Sequence, residues 1–129
     1  MTSPEDLKYS KEHEWVRVSG NIVTIGISDY AQDQLGEIVF VELPDEGEEF
    51  SKDDAFGVVE SVKSVNDIYA PISGRIVEVN DPVVDSPEIV NEDPYGEGWL
   101  IKIEVEDTGE LKELMTAKQY EAYIKEESE

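Results

Sequence analysis

A six-residue pattern, Gly-x-Ile-Val-x-Val, occurs twice in the chain, at 36–41 and again at 74–79. A proline follows each copy at the same distance, as Pro44 and Pro82, and each copy leads on to a segment that begins with an aromatic residue. Branched residues favour β-strands because their side chains pack well on a pleated surface. A pattern this short also recurs by chance, but two copies on either side of one short hairpin favour a two-fold β-sandwich.

Seven segments of the chain have the composition of β-strands. In each of them, branched and aromatic residues dominate, or apolar residues alternate with polar ones. We therefore expect a mainly β chain. The predicted strands are 14–18, 21–27, 37–43, 56–62, 65–69, 75–80 and 99–106.

Short helices are predicted between and after these strands. Ser28 can cap a helix over 29–35, and Gly36 can end it. One helical turn is expected at 88–91. Thr116 begins a capping box, Thr-Ala-Lys-Gln, and the helix that follows has one apolar face. We expect that face to pack against the sheet.

The length of the chain predicts one domain. A chain of 129 residues can bury roughly two-thirds of the surface that it exposes when unfolded, which is enough for one core. We expect the domain to cover 1–129, with its β core at about 22–106 and a C-terminal helical segment at 108–126. Residues 1–8 are predicted to form a loose arm.

Charge excludes two classes of partner. The formal net charge is −22, from 32 acidic and 10 basic residues. No basic stripe is present to replace the counterions of a phosphate backbone, so nucleic acid is excluded, and anionic membrane surfaces are excluded for the same reason. The acidity favours either solubility or attraction to basic faces on partner enzymes, and both interpretations stay open.

The side chains that usually carry chemistry are scarce. The chain has no cysteine and one histidine, so we expect no disulfide and no metal site. His13, beside Trp15, is interpreted as a packing or hydrogen-bonding residue. Glu60 is the carboxylate whose apolar neighbours suggest a raised pKa. With no nucleophile beside a base, the sequence does not predict a self-sufficient enzyme.

Nothing in the sequence predicts membrane insertion or export. No apolar run reaches the roughly 20 residues that a membrane-spanning helix needs. The acidic N-terminus lacks a signal or transit pattern, so the cytoplasm is the expected location, and a monomer is the expected state.

Lys63 is the remaining candidate for a chemically functional residue, as a site of covalent modification. Two branched strands, 56–62 and 65–69, meet at this lysine with almost no loop between them. A lysine at such a tip is exposed on a stiff support, so a modifying enzyme can reach its amine. The ordinary alternative is an unmodified, solvated lysine in a hairpin, and spacing alone favours that alternative.

The Glu-Ser-Val-Lys-Ser segment at 60–64, followed by Ala-Pro-Ile-Ser-Gly at 70–74, resembles the modification hairpin of the biotinyl/lipoyl domains. Biotin carriers usually have methionine on both sides of the lysine, whereas Val62 and Ser64 flank it here, which favours lipoate. Lipoyl domains of 2-oxoacid dehydrogenases more often have Asp-Lys-Ala. Glu-Ser-Val-Lys is closer to glycine cleavage H proteins.

The rest of the chain resembles the glycine cleavage H proteins in the same order, and two kinds of departure are visible. Ser64 stands where alanine is common in that family, and Tyr30 and Gln34 stand where some relatives have histidine. Any role of those histidines does not carry over to this chain. The resembling segments are 7–16, 26–36, 39–44, 87–91 and 93–99.

The resemblance implies a mainly β fold, a two-sheet barrel-sandwich hybrid with pseudo-two-fold symmetry, short helices and a C-terminal helix. It also implies a non-catalytic carrier with lipoic acid attached to Lys63 as N6-lipoyllysine by a lipoate ligase or a lipoyl/octanoyl transferase. The implied partners are glycine decarboxylase (P protein), aminomethyltransferase (T protein) and dihydrolipoyl dehydrogenase (L protein). The carrier would move the aminomethyl group between the first two enzymes and electrons to the third.

The resemblance further implies roles for residues around the lysine. The lipoylating enzyme would recognise four neighbours of Lys63, namely Glu60, Ser61, Val62 and Ser64. The aminomethyl-lipoyl arm would return to a pocket containing Glu14 and Asp67, although both could equally be solvated surface acids.

Three alternatives to this carrier stay open. The chain could pass lipoyl groups to 2-oxoacid dehydrogenases, it could be an unmodified binding module that docks through the Lys63 hairpin, or its lipoylated form could have weak activity of its own.

Overall fold

The structure is a computed structural model and describes residues 3–128. Strands dominate this part of the chain, which confirms the predicted mainly β fold. The strands are β1 Lys8–Tyr9, β2 Glu14–Ser19, β3 Ile22–Ile27, β4 Ile38–Glu42, β5 Glu49–Phe50, β6 Ala55–Ser61, β7 Val65–Tyr69, β8 Gly74–Val79 and β9 Ile101–Glu104. The helices are α1 Asp29–Leu35, α2 Asp81–Asp85, α3 Glu88–Glu92 and α4 Ala117–Ser128, with a 3-10 helix at Thr108–Glu113.

The strands form two antiparallel sheets. One has six strands in the order β1-β2-β3-β9-β8-β5, and the other has three in the order β4-β6-β7. The main core lies between the sheets and is built from inward-facing branched residues such as Ile25, Val41, Val59 and Ile101. These are the alternate residues of strands that the sequence pattern predicted.

The two copies of the repeat have the same local structure. The first forms β4, which pairs with β6, and the second forms β8, which pairs with β9. Each pairing shifts register at the same repeat position, between Ile38 and Phe40 in one and between Ile76 and Glu78 in the other. Such a shift marks a β-bulge. The shared bulge supports the predicted pseudo-two-fold arrangement.

The predicted loose arm at 1–8 is wrong for its C-terminal part. Leu7 is buried and Lys8 begins β1, which pairs with β2. Leu7 is held because it packs in a second apolar cluster with Trp15 and Tyr120. Residues 1 and 2 of the predicted arm lie outside the described residues.

The predicted helices are present, with one addition. The Ser28 hydroxyl accepts a hydrogen bond from the Ala31 N–H at 3.1 Å, and α1 ends at Gly36, whose φ is 82°. Helix α4 packs as expected, since the ring of Tyr120 stacks on Tyr9 with 4.5 Å between centroids. Helix α2, which begins beside Pro82, was not predicted. Within residues 3–128, no helix has the length and hydrophobicity required to cross a bilayer.

Candidate functional site

Lys63 lies at the tip of the β6–β7 hairpin, and Ser61 fixes the shape of that tip. The Ser61 hydroxyl is buried and accepts hydrogen bonds from the N–H groups of Lys63 at 3.1 Å and Ser64 at 3.2 Å. The Ser61 N–H donates to the Ser64 carbonyl at 2.8 Å. The turn is therefore held from inside, while Val62, Lys63 and Ser64 are exposed.

The loop after α1 supports the lysine side chain. A methyl group added to Gly36 would lie 3.3 Å from Lys63 Cε and 3.6 Å from Nζ. The Asn91 side chain holds this loop, because its amide N–H donates to the Gly36 carbonyl at 2.9 Å and its oxygen accepts from the Ile38 N–H at 2.9 Å. The Val62 N–H donates to the Glu37 carbonyl at 3.0 Å. Sequence reasoning missed the role of Asn91, because the contact joins residues more than fifty positions apart.

A cleft of about 530 Å³ begins two residues beyond the lysine. Its walls come from β7, from the start of β2 and from α1, and both acids proposed for the pocket, Glu14 and Asp67, line it. Glu14 is buried and Asp67 is exposed. Tyr30 and Gln34 also line the cleft, so both lie in the same place as the two acids.

Glu14 has an unusual environment for a carboxylate. Its side chain is 2% exposed, and the Ser10 hydroxyl donates to it at 2.5 Å. The Tyr69 N–H also bonds to it, but burial has the larger effect and raises the pKa of Glu14 to about 7. The sequence pattern pointed to Glu60 for such a shift and missed Glu14. The cause is long-range, because β2 and β7 are distant in the chain.

His13 joins this cleft to the C-terminal helix. Its Nδ1 lies 2.8 Å from the Tyr120 hydroxyl and its Nε2 lies 3.0 Å from a carboxylate oxygen of Glu127. The ring also lies 5.0 Å from that of Tyr30, centroid to centroid. The interpretation of His13 as a packing and hydrogen-bonding residue is therefore confirmed.

The other predicted recognition residues surround the hairpin, on different faces of it. Glu60 is half-buried and pairs in register with Phe40 on one side and Val65 on the other. Ser64 is exposed, and its hydroxyl accepts from the Asn66 side chain at 2.8 Å. Within residues 3–128, no cluster of His, Cys, Asp and Glu could hold a metal ion.

Comparisons with known proteins converge on one family. Residues 7–127 match the family model described as Glycine cleavage H-protein. The glycine cleavage system H protein of Carboxydothermus hydrogenoformans is 59% identical over 126 residues, which are 98% of this chain and 97% of that one. The H protein of Staphylococcus epidermidis is 56% identical over 124 residues, 96% of this chain and 98% of that one.

A solved structure agrees with these relatives. The crystal structure of a glycine cleavage system H protein from Mycobacterium marinum superposes with a TM-score of 0.83 at 40% identity. The match covers 93% of this chain and 97% of that one. Both the two-sheet architecture and the sequence therefore point to the same family.

Proposed function

The chain belongs to the glycine cleavage H-protein family, and we propose that it is the lipoyl carrier of the glycine cleavage system, with lipoate joined to Lys63 as N6-lipoyllysine. The observation that carries this proposal is the exposed primary amine of Lys63 on a turn whose backbone is fixed by Ser61. When bound, a lipoyl group supplies a dithiolane that accepts electrons and carries a one-carbon unit.

The surroundings of Lys63 fit such a group. The amine lies against the backbone of Gly36, where no side chain competes for space. Acylation removes the lysine charge, and the neighbouring Val62 and Val65 are apolar, so the neutral amide has suitable neighbours. The stiff turn presents the attached arm in one place, and tethering raises its concentration at a partner's active site.

The cleft beside β7 is the proposed resting place of the loaded arm. Its cargo carries a primary ammonium, and Glu14 and Asp67 offer it one buried and one exposed carboxylate. A cation next to Glu14 favours the ionised carboxyl and lowers its raised pKa. Ile27 and Leu35 add apolar walls to the cleft, which limit the access of water to the cargo.

The proposal assigns the reactions to partner enzymes. Glycine decarboxylase loads the arm, aminomethyltransferase unloads it, dihydrolipoyl dehydrogenase reoxidises it, and a lipoate ligase or lipoyl/octanoyl transferase installs it. This chain serves as a monomeric, non-catalytic carrier in the cytoplasm, and its net charge of −22 attracts basic docking faces.

Reconstitution tests the proposal. The lipoylated chain, mixed with the three purified partner enzymes, glycine, tetrahydrofolate and NAD, should support NADH formation. Lys63→Arg should abolish it, whereas Lys118→Arg, on the exposed side of α4, should leave the rate unchanged. Equal activity of the two variants would refute attachment at Lys63.

The pocket residues need a separate test. Glu14→Gln and Asp67→Asn, each lipoylated and loaded, should lose the aminomethyl group to water faster than the unsubstituted carrier. Release of ammonia over time measures that loss. An unchanged lifetime in both variants would refute the pocket while leaving the carrier function intact.

A further inference from the structure

The outer face of the small sheet exposes apolar side chains beside Lys63. Val39 is 48% exposed, Phe40 46%, Val62 63% and Val65 65%. We call these four residues the ledge. Large exposed apolar residues elsewhere in the described chain are Val18 and Val84, so most of this exposure is concentrated around one lysine. Contiguous exposed apolar surface is unusual and commonly marks an interaction site.

The bulge in β4 explains how the ledge forms. In a regular strand, adjacent residues point to opposite faces, but Val39 and Phe40 are both exposed because the register shifts between Ile38 and Phe40. Phe40 then lies in register with Glu60, and Glu60 with Val65, so the three form one cross-strand row on the outer face. Val62 continues the exposed surface to the hairpin tip.

Glu60 in the middle of this row constrains what can cover it. Its carboxylate is half-buried between apolar neighbours, and the ion pairs found within residues 3–128 do not include it. Covering such a carboxylate without a cation is costly. The acids Glu37, Glu42 and Asp67 lie exposed on the same three strands or just before them. A partner must therefore offer an apolar surface with a basic side chain opposite Glu60.

We propose that the ledge docks the enzyme that acylates Lys63, through an apolar surface that carries a basic side chain facing Glu60. This inference rests on the proposed carrier function. Acylation forms a bond between Nζ and the acyl carbonyl carbon, while the amine loses a proton and the activating group of the acyl donor leaves. That active site must reach Nζ itself and so must cover Val62 and Val65, whereas enzymes that use the finished arm can stay at its full length from the hairpin.

Acylation kinetics of the full chain test the ledge. The probe is a purified lipoate–protein ligase with lipoate and ATP, and the product is counted by intact mass. Phe40→Ser and Val39→Ser should each lower kcat/KM by about tenfold, mainly through KM, as for central apolar anchors. Val18→Ser, on a strand of the large sheet and 43% exposed, is the matched control and should stay within about twofold of the unsubstituted chain.

The outcomes separate the two proposals. If the unsubstituted chain is not acylated at Lys63, the carrier function fails. If it is acylated and both ledge variants react at its rate while folded, as judged by circular dichroism, the ledge proposal fails. A concentration-dependent dimer that Phe40→Ser abolishes would assign the ledge to a second copy of the chain and would also overturn it.

Salt dependence tests the basic side chain opposite Glu60. Glu60→Gln should lower kcat/KM and reduce its dependence on ionic strength, because one charge pair across the interface is lost. Glu49→Gln, an exposed acid on the other sheet, is the control and should keep the original dependence. If kcat/KM of Glu60→Gln depends on ionic strength as strongly as that of the unsubstituted chain, the partner has no basic side chain opposite Glu60.

Discussion

The two copies of the repeat fold alike, but their outer rows differ. In the second copy, Glu78 pairs in register with Lys102, and their charged groups lie 3.7 Å apart. The Lys102 ammonium also lies 5.0 Å from the centre of the Trp99 ring. In the first copy, Phe40 occupies the position of Glu78 and faces Glu60. The charge of Glu78 is thus paired within the chain by Lys102. The matching position in the first copy instead exposes the apolar Phe40 beside the carboxylate of Glu60, which a partner can cover.

The two halves of the fold are the strand sets β4-β6-β7 and β8-β9-β3. Their last strands, β7 and β3, also differ in whether a further strand covers them. β9 pairs with β3, whose other edge is covered by β2. β6 pairs with β7, which ends the small sheet and forms one wall of the cleft. One half of the two-fold framework thus continues into a strand that is paired on both edges, whereas the other half carries the exposed lysine and the ledge and ends in β7, which forms one wall of the cleft. The proposed function therefore belongs to the half that carries the Phe40–Glu60–Val65 row and the edge strand β7.

The largest effect is expected when the Phe40–Glu60 pair of the first copy is replaced by the charged pair of the second. Phe40→Glu combined with Glu60→Lys copies the Glu78–Lys102 pair and reverses the charge that faces the partner. We expect kcat/KM for acylation of Lys63 to fall at least about a hundredfold, because apolar contact is lost and a like charge faces the partner's cation. The ligase assay measures this, and thermal unfolding checks that the fold survives. An acylation rate close to that of the original chain would show that the acylating enzyme does not contact Phe40 and Glu60.

The next effect is the pH dependence of stability that comes from Glu14, in the cleft beside β7. Because the pKa of Glu14 rises from 4.5 to about 7 on folding, the unfolded chain releases this proton first as pH increases. Its contribution to stability therefore falls from pH 4.5 to about 7 and is constant above. Glu14→Gln removes that fall, so the variant should gain about 3 kcal/mol relative to the original chain between pH 4.5 and 8.

Urea unfolding at several pH values measures this difference. Glu46→Gln, an exposed acid in the turn after β4, is the control and should show a much smaller change. A constant difference between Glu14→Gln and the original chain across this range would contradict the account of Glu14 as a carboxyl that burial keeps protonated.

A smaller effect distinguishes the first glycines of the two copies. Gly36 has a φ of 82° and faces the Lys63 side chain, whereas a methyl group on Gly74 would meet the Glu104 carbonyl at 2.5 Å. Gly36→Ala should cost about 1 to 2 kcal/mol of unfolding free energy through backbone strain and should also slow acylation of Lys63. Gly74→Ala should destabilise the chain by separating β8 from β9 but leave acylation of the folded protein unchanged. Equal acylation rates for the two variants would contradict the contact between Gly36 and Lys63.

The smallest effect is expected at Ser64. Its side chain is exposed, and its hydroxyl accepts a hydrogen bond from Asn66, but the turn itself depends on Ser61. Ser64→Ala should change stability by less than about 0.5 kcal/mol and the acylation rate by less than about twofold. Ser61→Ala, which removes the acceptor for two N–H groups of the turn, should cost about 1 to 2 kcal/mol. If both substitutions cost the same, Ser61 is not the residue that shapes the turn.

Local patterns predicted seven of the nine strands, the caps and the Lys63 hairpin, because these depend on neighbours in the chain, but they missed the two-residue strands β1 and β5. The repeat predicted the paired halves as well, since both copies carry the same alternation. Leu7 was missed because its burial depends on Trp15 and Tyr120, which no local pattern connects to it. The burial of Glu14 and the row around Phe40 were missed for the same reason. Both depend on strand register, and a shift of one residue would reverse which side chains face outward.

The measurement that tests the central claim most directly is peptide mass spectrometry of the chain purified from its native host during growth on glycine. The account predicts one lipoyl group per chain, located on Lys63 in the peptide that contains Ser61 and Ser64. An unmodified Lys63 in all of the protein, or a lipoyl group on any other lysine, would contradict it.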